Sequence, residues 1–237
     1  MKKLLLWSIA ICACSLLSAQ VEFGLRIGSN FGNADYEGDA SEEISQTLDS
    51  RLGIYAAGIF NFRLSDYFSI QPEVAFTEKG YNFDSNTLAT SLSSLFNPIG
   101  GTPAVAEDFQ FINQYLEVPI LGKVTIPLGE KFQFFIDAGP SFGYLLESQL
   151  RADVNGEDNT VVYSKDADNS EDNDERADFA MNYGAGFAAK LGKGWLRLDG
   201  RYQDSGDTNN FAVPGTGFNF DSNGEVTNVS LSYVIRL

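Results

Sequence analysis

Apolar and polar residues alternate at every second position through eight segments of this 237-residue chain. A period of two places successive side chains on opposite faces of a β-strand, so each segment predicts a strand with one apolar and one polar face. The eight predicted strands cover residues 21–31, 51–62, 67–82, 111–126, 131–147, 177–191, 194–204 and 224–237.

The connections between these segments alternate strictly between short and long. The short ones lie at 63–66, 127–130 and 192–193, and the long ones at 32–50, 83–110, 148–176 and 205–223. An even number of strands, with short turns at one end and long loops at the other, is typical of a membrane barrel. The sequence therefore predicts an all-β fold: one domain, residues 20–237, forming an eight-stranded antiparallel up-and-down transmembrane β-barrel.

A soluble barrel with an apolar interior, of the lipocalin kind, would show the same alternation. Here the polar face carries charges of both signs and many small residues, which suits a narrow lumen better than a solvated surface. The apolar face is nearly free of charges, each of which would cost about 2–4 kcal/mol in the middle of a bilayer. We therefore expect the apolar face to contact lipid and the polar face to line the lumen.

The first 19 residues have the features of a cleaved signal peptide. Lys2 and Lys3 precede an apolar run from Leu4 to Ala13, and Ala19 provides a small residue for cleavage before Gln20. A membrane anchor is disfavoured because the run is shorter than the ~18–20 residues that a bilayer requires. A lipid attached at Cys14 is also disfavoured, because the residues around it match a lipoprotein signal only in part.

The composition excludes several chemistries. The chain has no histidine, which removes Ser-His-Asp and Cys-His catalysis and histidine-ligated metals. Both cysteines, Cys12 and Cys14, lie in the predicted signal peptide, so the processed chain has no thiol. A formal net charge of −16 argues against nucleic acid as a partner. We expect a protein that is not an enzyme and has no cofactor and no metal.

The charged residues of the polar face are predicted to meet inside the barrel. Glu73 and Asp137 each lie about six residues beyond a short turn, and residues of the first and seventh strands reach the same depth. A carboxylate pair of this kind could serve acid–base chemistry or an ion path. We favour a structural network of ion pairs that fills the lumen, since buried charges must be paired. Its predicted members are Arg26, Glu73, Glu117, Lys123, Asp137, Arg197, Asp199 and Arg201.

The four long connections contain 20 of the 32 acidic residues and three basic ones, so we expect solvated, anionic loops. Calcium binding around 166–172 is a weaker alternative, because that stretch lacks the glycine turn of a calcium loop. In the second loop, Leu88, Leu92 and Leu95 are spaced as in a helix. They predict a short amphipathic helix at 87–96 that covers the mouth, lies on the membrane or binds a partner.

Two further features concern the wall of the barrel. Aromatic residues near the strand ends predict two interfacial girdles. The girdle beside the short turns would contain Phe62, Phe68, Phe132 and Trp195, and the girdle beside the long loops Phe31, Tyr81, Tyr144, Phe179 and Tyr202. Pro72, Pro119 and Pro140 fall in the middle of strands, where each removes a hydrogen-bond donor, so they predict bulges or locally broken pairing.

Several of these segments are similar to the PorT-type outer-membrane β-barrel domain family. The matching stretches are Gly24-Leu25-Arg26-Ile27-Gly28-Ser29-Asn30-Phe31, Ser69-Ile70-Gln71-Pro72-Glu73 with Lys79-Gly80, Tyr115-Leu116-Glu117-Val118-Pro119, Ala138-Gly139-Pro140-Ser141 with Gly143-Tyr144, and Gly184-Ala185-Gly186 with Gly194. The resemblance implies a location in the outer membrane. It implies no set of functional residues, because the family is defined by its barrel rather than by one activity.

The resemblance also indicates a role for the protein. One member type takes part in assembling a protein secretion system, so we expect a structural or interaction role, with a small channel or transporter as the alternative. Expected partners are outer-membrane lipid, the barrel-assembly machinery, and a secretion-apparatus or surface partner that meets the long loops. The C-terminal Tyr233-Val234-Ile235-Arg236-Leu237 resembles the signal that the assembly machinery recognises, with Leu237 in place of the usual aromatic residue.

Overall fold

The computed structural model describes residues 20–36, 48–83, 106–154, 157–163, 177–205, 209–212 and 219–236. These residues form ten β-strands joined by turns. The strands are β1 (Gln20–Tyr36), β2 (Leu48–Arg63), β3 (Phe68–Phe83), β4 (Ala106–Pro127), β5 (Phe132–Val154), β6 (Glu157–Tyr163), β7 (Ala177–Leu191), β8 (Gly194–Asp204), β9 (Asn209–Ala212) and β10 (Asn219–Arg236). None of the described residues forms a helix with the length and apolarity needed to cross a bilayer.

Eight of the strands form a closed antiparallel barrel. Neighbouring strands pair in the order β1-β2-β3-β4-β5-β7-β8-β10, and β10 pairs with β1 to complete the circle. Closure satisfies the backbone hydrogen bonds at the edges of the sheet, which a lipid environment could not do. The predicted fold class is therefore confirmed.

The two remaining strands, β6 and β9, lie in segments that were predicted to be loops. β6 pairs with the end of β5, and β9 pairs with the beginning of β10. Both extend the sheet on the side of the long connections. The wall strands are also longer than predicted on this side: β4 has 22 residues and β5 has 23, whereas about 9–11 suffice to cross a bilayer.

The predicted short turns are present at the opposite end. They leave residues 64–67, 128–131 and 192–193 between strands, with Gly129 and Gly192 at positive φ. The predicted signal peptide, the helix at 87–96 and the acidic stretch 166–172 lie outside the described residues.

The apolar face of the wall points outward and the charged face points inward. On β1, Leu25 is 64% exposed, whereas its neighbour Arg26 is 1% exposed. The same alternation runs along β7 and β8, where Phe187 and Leu198 are exposed and Arg197 is buried. This arrangement is the one expected for a wall that contacts lipid, and the lipocalin-like alternative is wrong.

Most of the aromatic residues predicted for the girdles face outward, and the exceptions are Tyr81 and Trp195, which has the inward parity of Arg197 and pairs with inward-facing Val234. Phe132, Tyr144 and Phe179 are exposed, as expected. Tyr81 is buried and stacks on Phe111, with their ring centroids 5.3 Å apart. The prediction for Tyr81 was wrong because the parity of a residue along its strand, and not its distance from the strand end, decides which way its side chain points. Tyr81 shares the inward parity of Thr77 and Lys79.

The three mid-strand prolines interrupt pairing without changing the register. Pairing is missing at 60–61 opposite 71–72, at 73–74 opposite 118–119, and at 120–121 opposite 139–140. Each gap contains one of the prolines, so the prediction of locally broken pairing is confirmed. The bulges lie elsewhere, between Ser50 and Tyr55 on β2, between Glu107 and Gln110 on β4, and at the 114/115 step.

Candidate functional site

A cluster of ionised side chains occupies the barrel interior between the two mouths, and we call it the central cluster. It consists of Arg26, Glu73, Asp137, Asp199 and Arg201. Glu73 on β3 is its centre. Arg201 donates to both Glu73 carboxylate oxygens at 3.1 and 3.3 Å, and Arg26 Nη1 lies 3.3 Å from Glu73 Oε1. Five side chains from four non-adjacent parts of the chain thus meet at one depth.

Neutral side chains complete the environment of Glu73. The Tyr55 hydroxyl donates to Glu73 Oε2 at 3.0 Å, and Gln71 Nε2 donates to Oε1 at 2.7 Å. With two arginines, this carboxylate has four partners and its side chain has no exposed surface. Charge-assisted hydrogen bonds of this kind hold a buried carboxylate in its ionised form.

The other two carboxylates of the central cluster balance the arginines. Arg26 Nη2 donates to Asp199 Oδ1 at 3.3 Å, and Ser230 donates to the second Asp199 oxygen at 3.1 Å. Asp137 Oδ1 lies 3.6 Å from Arg201 Nε. A Cβ atom at Gly184 would lie 2.5 Å from Asp137 Oδ1, so the neighbouring strand provides the space for this carboxylate by having no side chain there.

Lys123 lies beside the central cluster in a different environment. Its ammonium group sits 3.7 Å from the centre of the Phe135 ring and donates to Gln71 Oε1 at 3.4 Å. A cation over an aromatic face gains about 2 kcal/mol or more when both are shielded from water. Phe135 is one of several large apolar side chains that the structure places inside the barrel. The others include Ile59 and Leu121.

A second group, the short-turn cluster, closes the interior on the side of the short turns. Glu22 accepts hydrogen bonds from Arg197 at 3.1 Å and from Asn61 at 2.8 Å, and Arg63 Nη1 lies 3.5 Å away. Arg197 also donates to Gln71 Oε1 at 3.2 Å. Because Gln71 contacts Glu73 as well, this amide connects the short-turn cluster to the central cluster.

A third group, the long-loop cluster, lies toward the other mouth. Lys79 contacts Glu117 and also Asp178, whose Oδ2 is 3.1 Å from the Lys79 ammonium. Gln203 Nε2 donates to Glu117 Oε2 at 3.2 Å and to Ser141 at 3.0 Å. The ammonium also lies 4.9 Å from the centre of the Tyr115 ring.

The structure places all eight predicted interior residues inside the barrel but divides them among these groups. Five form the central cluster, whereas Glu117 belongs to the long-loop cluster and Arg197 to the short-turn cluster. Lys123 contacts a ring and an amide. Tyr55, Gln71 and Asp178 were missing from the prediction. Their inward parity was readable from the sequence, but Tyr55 and Gln71 carry no charge to mark them, and Asp178 lies at the very start of the predicted strand 177–191.

The buried charges nearly cancel one another. Among the described residues, six carboxylates and five cations are buried: Glu22, Glu73, Glu117, Asp137, Asp178 and Asp199, with Arg26, Lys79, Lys123, Arg197 and Arg201. The interior is therefore close to neutral, although the chain has a net charge of −16. Each of these groups except Lys123 lies in an ion pair, as charges removed from water require. Lys123 contacts the Phe135 ring and the Gln71 amide instead. Within the described residues, no set of acidic side chains is placed to hold a metal ion.

Comparison with known proteins identifies the family. No curated protein matches the sequence. Three solved barrels align over 92% of this chain. Neisserial surface protein A has 10% sequence identity, is covered over 97% of its own chain and gives a TM-score of 0.45. OprG from Pseudomonas aeruginosa has 12% identity, 98% coverage and a TM-score of 0.48. Ail of Yersinia pestis, in complex with a heparin analogue, has 11% identity, 99% coverage and a TM-score of 0.42. The family model described as outer membrane protein β-barrel domain matches residues 17–205, and the chain therefore belongs to this family.

Proposed function

We propose that this outer-membrane barrel is a structural or interaction protein with a plugged lumen, not an enzyme and not an open channel. One observation carries the proposal. In the central cluster, the side chains of Arg26 and Glu73 have no exposed surface, and those of Asp137 and Arg201 are 1% and 3% exposed. A water molecule therefore has no access to the groups that span the lumen at this depth.

A closed lumen has two consequences for function. Ion conduction needs a continuous water path, and the paired side chains of the central cluster occupy the place where that path would run. Acid–base chemistry needs a carboxylate that a substrate can approach, whereas Glu73 already has four partners on its two oxygens. What remains accessible is the two mouths and the connections between strands, where proteins of this shape meet partners.

The similarity to PorT-type barrels supports a more specific form of the proposal, a role beside a protein secretion apparatus. We propose that the long, acidic connections carry the contacts with that apparatus or with a surface partner. Membrane lipid and the barrel-assembly machinery are the partners that biogenesis requires. The protein would reach the outer membrane by means of a cleaved signal peptide at residues 1–19.

A small channel is the alternative function, and the polar interior is the observation that favours it. Charged groups extend from Glu22 near the short turns to Lys79 near the long connections. If the central cluster rearranged, these groups would line a polar path.

Single-molecule recording in planar bilayers separates the two functions. The purified barrel, shown to be folded by its heat-dependent mobility on gels, is inserted at low density, with a large porin as the positive control for insertion. We expect no sustained current at voltages where the porin conducts. Stepwise current from single insertions would refute the plugged lumen.

A second experiment tests the secretion role. The barrel is tagged at one long connection and isolated from detergent-solubilised outer membranes after crosslinking. Enrichment of secretion-apparatus components, relative to an unrelated barrel of the same size, supports the role. Recovery of lipid and assembly factors alone contradicts it.

A further inference from the structure

Basic residues lie along one side of the barrel mouth at the end with the short turns. Four of them are exposed: Lys131, Lys190, Lys193 and Arg236. Arg63, partly buried, is the fifth. We call these five residues the basic collar. Short turns of outer-membrane barrels face the periplasm, so the basic collar lies at the periplasmic mouth.

The alternation of side chains along the strands directs the basic side chains toward the opening of the barrel rather than toward lipid. Arg236 follows Val234, which is 1% exposed and faces inward, and Lys190 follows inward-facing Ala188. Arg63 has the parity of buried Asn61. These cations therefore sit at the ends of inward-facing rows, one step beyond the plugged interior, where they meet water instead of membrane headgroups.

The basic collar spans neighbouring strands on one side of the mouth. Lys131 and Lys190 lie beside each other, because the Lys190 amide donates to the Lys131 carbonyl at 2.8 Å. The exposed acidic residues on the short turns are Asp66 and Glu130. Arg63 is already paired with Glu22 and Asp66. The other four cations against two exposed carboxylates make this end positive, in contrast to a chain whose net charge is −16. Such a surface attracts and orients anionic partners.

An apolar patch lies next to the basic collar on two adjoining turns. Tyr67 is 61% exposed and Leu128 is 50% exposed. The two turns are held together, since the Thr125 amide donates to the Tyr67 carbonyl at 2.7 Å. A small polar recess opens at this mouth, and the ion pair between Arg197 and Glu22, at 3.1 Å, closes its inner end.

We infer that the periplasmic mouth is a docking site for an acidic segment of a periplasmic protein that also carries an apolar side chain. The carboxylates of the segment would meet the basic collar, and its apolar side chain would rest on Tyr67 and Leu128. Because this ion pair closes the inner end of the recess, the segment binds at the mouth and does not pass through the lumen. This inference concerns the opposite mouth from the long acidic connections and holds whether or not they bind a secretion apparatus.

The test uses the full barrel in nanodiscs of phosphatidylcholine and a labelled 12-residue peptide rich in glutamate with one leucine. Binding is followed by fluorescence anisotropy at low salt. The variant K131Q/K190Q/K193Q/R236Q removes four exposed charges, and we expect its affinity to fall by at least about fourfold, as four exposed ion pairs would give. The matched variant D66N/E130Q removes the acidic residues, and its affinity should rise a few-fold.

Several results would overturn the inference. The quadruple variant could bind as well as the unaltered barrel, or a peptide with glutamine in place of glutamate could bind equally. Binding that persists unchanged at 0.5 M salt would also contradict an electrostatic site, since screening at that concentration acts within about 4–5 Å. Finally, the peptide could fail to bind while phosphatidylglycerol nanodiscs or inorganic phosphate stabilise the barrel through the same four residues. The collar would then be a lipid or phosphate site instead. Unchanged heat-dependent mobility shows that each variant is folded.

Discussion

Replacing Glu73 by glutamine tests whether the interior ion network stabilises the barrel. Glutamine keeps the size of the side chain but removes the charge that Arg26 and Arg201 share. Removing one partner of a buried ion pair costs about 3–5 kcal/mol. Each arginine retains one carboxylate, Asp199 at 3.3 Å or Asp137 at 3.6 Å. We therefore expect a loss near the lower limit, about 3 kcal/mol in the free energy of unfolding.

Guanidinium titration in phosphatidylcholine vesicles measures this loss. The chain has two tryptophans, Trp7 and Trp195, and Trp7 lies in the predicted signal peptide. A barrel beginning at Gln20 therefore reports unfolding through Trp195 alone. The slope of the transition should stay constant, because the variant leaves the buried surface area almost unchanged. The loss of free energy then appears as a lower midpoint concentration of guanidinium.

The matched control is Asp66→Asn at the first short turn. The Asp66 side chain is 95% exposed and lies 3.8 Å from Arg63. An exposed pair contributes about 0.2–1 kcal/mol at most, so this variant should unfold almost as the unaltered barrel does. If Glu73→Gln were no more costly than Asp66→Asn, the central cluster would not stabilise the barrel.

Three further predictions concern the wall of the barrel. Leu231→Arg places a charge on the lipid face of β10 and should cost about 2–4 kcal/mol in vesicles if the site lies near mid-depth; unchanged stability would contradict the outward assignment. Gly184→Ala should cost about 1–3 kcal/mol by displacing the Asp137 carboxylate, whereas Gly58→Ala, with nothing within 4 Å of the added carbon, should be nearly neutral in the same titration. Residues 60–61 keep their pairing with β1, but their pairing with β3 is interrupted, so whichever of their two amides points toward β3 should exchange hydrogen faster than amides in the middle of β8, which amide-exchange NMR measures.

The wall of the barrel was largely predictable from the sequence because its signals are local. The period of two marks a strand and its faces, and the alternation of short and long connections marks the order of the strands. The prediction failed where a local rule was incomplete. Strand β5 continues to Val154, well past the apolar positions that ended the predicted strand, because a partner strand such as β6 can support pairing beyond the membrane.

The interior was predictable in composition but not in arrangement. Parity alone placed Arg26, Glu73 and Asp137 on the inner face. It could not show that Tyr55 and Gln71 complete the surroundings of Glu73, since uncharged side chains give no signal of a partner across a lumen. Phe135 shares the inward parity of Asp137, but parity could not show that the Lys123 ammonium would lie against its ring.

The sequence by itself determined that the chain forms a closed barrel with lipid outside and balanced charges inside. Only the tertiary structure decided which charges meet. Glu73 contacts Arg201, 128 positions away, and Arg26 contacts Asp199, 173 positions away. The physical reason is that parity is a property of one strand, whereas contact across the lumen depends on the stagger between strands and on the barrel diameter. These two quantities exist only once β10 has paired with β1 and the circle is closed.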